Sequence, residues 1–199
     1  MKRSNLFILA VILSLLAGCR EVAVPKPKGY FRIDLPAKEY ITLHDSLLQN
    51  INLPVSFEYP SYGRISFEAD INPEPGWFNI EFPPFRAKIY FTYKDIKNDL
   101  EELMEQTYIM NVKNHITKAD AINEQTIINP DQRVYGILYD LKGNTATAVQ
   151  FYVTDSINHY FRGSLYFAAE PNADSLAPVI EFFREDIIHL IETLKWKEK

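Results

Sequence analysis

At 199 residues and 23.1 kDa the chain has the size of one domain, and its 47% hydrophobic and 24% charged content is ordinary globular usage, which excludes disordered, collagen-like and low-complexity classes. A formal charge of −5 with no basic block excludes a phosphate-tracking surface, so nucleic acid is not a partner. A single cysteine excludes an internal disulfide, a multi-cysteine metal or iron–sulfur site and a redox pair.

Met1-Lys2-Arg3 is a short basic head before the apolar run from Leu6 to Leu13, and residues 1–18 read as a secretion signal. The run is shorter than the ~20 residues that a spanning helix needs. It ends in Leu16-Ala17-Gly18-Cys19, which resembles the lipobox of bacterial lipoproteins. That resemblance implies cleavage before Cys19 and acyl chains on its sulfur and amine, which anchor the protein at about 0.8 kcal/mol per buried methylene. The mature chain would carry 19 bases against 26 acids, too acidic to hold anionic lipid by charge alone. Residues 19–29 contain Pro25 and Pro27 and no periodicity, and read as an extended tether. At about 3.1 Å per residue, ten such residues keep the fold roughly 30 Å from the bilayer.

Residues 30–199 read as one α+β domain. In its first segment Tyr30, Arg32 and Asp34 alternate with Phe31, Ile33 and Leu35 up to Pro36. Two readings stand: a strand lying along the core, or a strip presented to a partner. Period-two alternation then marks four strands, at Val55 to Tyr59, Ile65 to Ala69, Phe78 to Phe82 and Ile89 to Tyr93, separated by proline- and glycine-rich turns that favour antiparallel pairing. Asp95 is placed to cap a helix carrying Ile96, Leu100, Leu103 and Met104, with Tyr108 and Val112 on the same stripe. From Asn114 to Gln132 the expectation is a half-turn of helix, a short strand at Thr126 to Ile128 and a loop.

A hairpin follows, Arg133 to Asp140 and Thr145 to Thr154 around Lys142-Gly143-Asn144, and His159 to Ala168 makes a further strand. Asp174 or Ser175 caps a last helix with Pro178 in its first turn and an apolar stripe through Val179, Phe183, Ile187 and Leu190. The sum is an antiparallel sheet of about seven strands covered by two amphipathic helices, a layout similar to the Mog1/PsbP-type fold. That likeness concerns architecture alone.

The chemistry expected of an enzyme does not surface. The chain has no Gly-x-Ser-x-Gly elbow, phosphate loop, dinucleotide-binding glycine motif or His-Glu-x-x-His, and its four histidines are dispersed. Asp186 and His189, three apart on the last helix, are the nearest thing to an acid/base or metal pair, and read as an ordinary exposed pair. Aromatic residues make up 14% of the chain and crowd around Trp77-Phe78 and Phe82 to Phe85. Core packing accounts for most of them, but Trp77 is out of phase with Phe78, Ile80 and Phe82 and belongs on the opposite face.

Pro25-Lys26-Pro27-Lys28-Gly29-Tyr30-Phe31-Arg32-Ile33-Asp34-Leu35-Pro36 after the cysteine resembles the start of the gliding-motility lipoprotein GldD family of Bacteroidetes. Phe57 to Tyr62, Trp77 to Phe82, Val149 to Ser156, His159 to Phe167 and Asp174 to Val179 resemble its later strings. The resemblance implies a non-enzymatic cell-envelope lipoprotein required for gliding motility, a scaffold or assembly component of the motility and type IX secretion machinery. It brings no cofactor and no metal, only the covalent lipid on Cys19. Tyr30, Phe31, Arg32 and Trp77 are the partner-binding candidates, and other motility or secretion envelope proteins the expected partners. Without an acidic run after Cys19, the expected place is the periplasmic side of the outer membrane. The alternative is a periplasmic lipoprotein that binds carbohydrate or peptidoglycan through Trp77 and nearby tyrosines.

Overall fold

The computed structural model describes residues 33–48, 53–67, 76–170 and 172–197. Cys19, Tyr30, Phe31 and Arg32, with the signal and tether, lie outside them. Eleven strands and two α-helices occur among the described residues. Strands β1 (Tyr40–Thr42) and β3 (Glu58–Pro60) pair with each other, and β2 (Val55–Ser56) pairs with β11 (Lys195–Trp196). The main sheet has seven strands: β4 (Arg64–Ser66), β5 (Trp77–Phe82), β6 (Ala87–Asp95), β7 (Ala121–Asn129), β8 (Val134–Lys142), β9 (Thr147–Thr154) and β10 (His159–Phe167). Their order is β4-β5-β6-β10-β9-β8-β7, and every neighbouring pair is antiparallel. Helices α1 (Leu100–Tyr108) and α2 (Ala173–Glu192) lie against it, so the expected α+β class and strand number are those of the structure.

One sheet face is made by the alternation of apolar residues. Phe78, Phe91, Gly163 and Phe151 stand in one row across β5, β6, β10 and β9. Gly163 is required in that row because a Cβ there would sit 2.3 Å from the Phe151 ring. The Phe151 ring fills the space it leaves, and Phe91 and Phe161 stack beside each other at 5.3 Å. Helix α2 closes this face with Val179, Phe183, Ile187 and Leu190, all buried as their spacing predicts. On the other face α1 and the π-helical turn Ile109–Lys113 cover only the β10-β9-β8 half, packing Leu103 and Val112 onto Tyr139, Tyr152 and Tyr160.

Several boundaries differ from expectation. Asp95 ends β6, opposite His159, instead of capping a helix, and the Ile96 amide donates to the Asn158 carbonyl. The helix therefore starts later, at Leu100, and the π turn rotates its buried side to Thr107, Asn111 and Val112, leaving Tyr108 exposed. The segment read as irregular holds a nine-residue edge strand, β7, in continuous register with β8. At α2 the cap is Asn172, whose side chain accepts from the Ser175 amide, so Pro178 sits inside the helix and not in its first turn. Residues 33–39 form no strand. None of the described helices is long and apolar enough to cross a membrane.

Candidate functional site

Among the places where the described residues gather polar side chains, two stand on opposite sides of the sheet. On the α2 side, Asp186 is not the exposed residue expected of it: only 1% of it is accessible. Its Oδ1 accepts from Lys38 Nζ at 2.6 Å and Tyr40 Oη at 3.0 Å, and its Oδ2 from Tyr62 Oη at 2.5 Å. Lys38 also donates to the Phe182 carbonyl and lies 3.6 Å over the Phe182 ring. Burial first, then the bond to Asp186, pushes both tyrosine hydroxyls far above their ordinary pKa. His189 shares only Tyr40 with Asp186, stacking on its ring at 3.6 Å, and meets Glu58 Oε2 at 2.7 Å. Helical spacing put the two residues on neighbouring faces, and each is spent on a structural contact to the segment before β4.

This cluster is a clamp that fastens the chain around Lys38 and Tyr40 to α2. Three donors occupy three of the roughly four lone-pair sites of this carboxylate, and at 1% accessibility little of it is open to a substrate. Among the described residues no group of three or more His, Cys, Asp or Glu side chains could hold a metal ion.

The other place is the half of the sheet that α1 leaves uncovered. Here the side chains alternating away from the core are Trp77 on β5, Tyr90 and Thr92 on β6, and Arg162, Ser164 and Tyr166 on β10. Trp77 stands where its phase puts it, 39% exposed, beside Phe78, Ile80 and Phe82 that are almost wholly buried. Tyr90 and Tyr166 meet edge to face at 5.4 Å. With Thr92, Arg162 and Ser164 they line a cavity of about 330 Å³.

Arg162 is the charged centre of this face. Its Nη2 donates to Asn111 Oδ1 at 2.8 Å and to Gln150 Oε1 at 2.9 Å, and Ser164 Oγ donates to the same Gln150 oxygen at 3.1 Å. Among the described residues its Nη1 reaches Met110 Sδ alone, at 3.5 Å. Burial lowers the guanidinium's pKa, and among the described residues no carboxylate is bonded to it. Arg162 was visible in sequence only as a polar step in the β10 alternation. Its partners come from β9 and from the π turn, 12 and 51 residues away, a convergence that periodicity cannot display.

The family described as gliding motility lipoprotein GldD matches residues 20–196, and the chain belongs to that family. No curated protein matches it. Among solved structures it is similar to cyanobacterial PsbP (CyanoP) from Synechocystis sp. PCC 6803, at 9% identity and a TM-score of 0.44, over 83% of this chain and 97% of that one.

Proposed function

From this family membership we propose that the chain is a lipid-anchored component of the cell envelope that serves gliding motility by binding, as a scaffold or assembly factor of the motility and type IX secretion machinery, and not by catalysis. The observation that carries the reading is the family match from residue 20 to 196, which spans the described fold and leaves aside residues 1–19 and 197–199. In support, the buried Asp186 carboxylate is taken up by the clamp, whereas the half-open sheet face presents Trp77 and Tyr90. Cys19 is the proposed lipid site, and the periplasmic side of the outer membrane the proposed place.

Interface energy concentrates in a few aromatic and arginine side chains, at roughly 2 kcal/mol or more each. Alanine at Trp77, or at one of Tyr30, Phe31 and Arg32, is expected to reduce recovery of cross-linked envelope partners and cell movement while the protein still accumulates. Cys19→Ser is expected to leave the protein unprocessed or released from the membrane. Normal motility and complex recovery in all four alanine variants would refute the binding mode. A second reading, binding of carbohydrate or peptidoglycan, is favoured by the tyrosine-walled cavity; pulldown on cell-wall fragments separates it from the first.

A further inference from the structure

The β6–β10 cavity holds a positive charge that the described protein does not balance. Arg162 has spent one nitrogen on two neutral amide oxygens and none on an acid. Beneath it the remaining donors are unpaired: Arg162 Nε, Gln150 Nε2 and Asn111 Nδ2 are buried without a hydrogen-bond partner. Three unpaired donors around a guanidinium are costly in a folded protein, where buried polar groups are almost always satisfied. All three are N–H donors, so none of them offsets the charge of the guanidinium. Asn111 is delivered to this position by the π turn Ile109–Lys113, a distortion that often marks functional sites. In a chain of net charge −5 such an uncompensated cationic spot is out of keeping with the remainder of the surface.

We propose that this cavity is a binding site for a small carboxylate, held by the Nη1 edge of Arg162 with Thr92 beside it and with its body lying against Tyr90 and Tyr166. The charge class follows from the lining. One guanidinium among neutral hydroxyls, with the Lys88 ammonium 5.2 Å over the Tyr90 ring already paired to Glu81, matches the single negative charge of a carboxylate; a phosphate dianion would retain unbalanced charge on an acidic protein. The tyrosine pair at 5.4 Å and 90° offers a flat wall suited to a sugar ring or a short aliphatic group. Both an acidic sugar and the end of an acylated amino acid supply that chemistry. The inference stands apart from the motility reading, because its test reads Arg162 and not cell movement.

The test is a titration of the full-length protein in detergent micelles, labelled with ¹⁵N-arginine, following the Nε–Hε resonance of Arg162 as identified by its loss in Arg162→Lys. The probes are D-glucuronate and N-acetylalanine, each against its uncharged counterpart, glucose and N-acetylalanine amide, with phosphate and chloride at matched ionic strength. A saturable shift with glucuronate assigns an acidic-sugar site, one with N-acetylalanine an amino-acid site, and the uncharged counterparts are expected to leave the resonance still. Tyr90→Ala, at an exposed position outside the core, is expected to weaken binding several-fold without loss of the fold. Arg162→Lys, which keeps the charge but loses the planar fork, is expected to weaken it roughly tenfold or more, read by calorimetry. The proposal fails if neither carboxylate moves the resonance, if chloride moves it equally, if phosphate binds more tightly than both carboxylates, or if Tyr90→Ala binds as wild type does.

Discussion

Replacing Asp186 with alanine should destabilise the fold by about 3 to 5 kcal/mol, the range for breaking a buried charge pair by removal of one partner. The structure explains the size. Alanine leaves the Tyr40 and Tyr62 hydroxyls without their acceptor and the Lys38 ammonium with the Phe182 carbonyl and the more distant Glu185 carboxylate, where hydrogen bonds to a charged group contribute about 1.5 to 3 kcal/mol each. Lys38 keeps 26% of its side chain in water, so part of its charge is resolvated and the lower end of the range is expected. At about 2 to 4 °C per kcal/mol for a domain of this size, the melting temperature should fall by roughly 6 to 20 °C. An internal control lies one residue away: Glu185 stands 3.6 Å from the same ammonium but its side chain is 60% exposed, and Glu185→Ala should cost less than about 1 kcal/mol. Urea unfolding of the purified variants, followed by circular dichroism, measures both. A midpoint for Asp186→Ala within about 1 kcal/mol of wild type at unchanged m would refute the clamp as an energetic feature.

Gly136→Ala should unfold the β8–β9 pairing, since its Cβ would lie 1.9 Å from the Tyr152 carbonyl oxygen, and a loss above about 3 kcal/mol in the same assay is expected. Arg64, with Lys88, holds the Glu81 carboxyl down at about 2 against an ordinary 4.5. Its contribution is therefore complete above pH 4.5 and lost as the pH falls through 2, so the stability difference between wild type and Glu81→Gln should shrink across that window. Burial raises the Asp155 carboxyl's pKa, but the amides of His159, Ile157 and Asn158 more than offset it, so Asp155→Ala should loosen the β9–β10 turn and speed hydrogen exchange at those three amides. Trp77→Ala, on the exposed face, should cost little stability, and a large loss of melting temperature would show that Trp77 is a packing residue.

The elements legible in the sequence were those whose two sides face different surroundings. Phe78, Ile80 and Phe82 face a packed core while Trp77 faces out, and the alternation records that contrast. Beyond the short strand read at Thr126 to Ile128, the length of β7 was not legible for the opposite reason: as an edge strand it is largely exposed on both sides, Ile128 included, so it has little contrast to write. The start of α1 was misplaced because Ile96 belongs by spacing to the helical stripe, and only the register of β6 with β10 carries the chain on to Asp95. Neither polar cluster was legible as a cluster. Lys38 and Asp186 are 148 residues apart, and a lone aspartate on a helix has the same sequence signature whether water or a clamp receives it.

This division of the sheet decides how functional variants must be judged. On the α2 side, side chains such as Asp186 and Phe183 are committed to the core, and a motility defect there reports abundance unless the protein level is shown to be normal. Asp186→Ala therefore cannot act as a neutral surface control, although its helical neighbour Glu185 can. On the uncovered half, Trp77 and Tyr90 stand clear of both hydrophobic clusters, so their loss changes what the face can bind more than whether the face exists. Arg162 lies between these cases, since it is tied to Asn111 and Gln150 beneath the surface and open at Nη1 above it. A defect in Arg162→Lys speaks for binding only when Tyr90→Ala, which touches none of those bonds, produces the same defect at wild-type abundance.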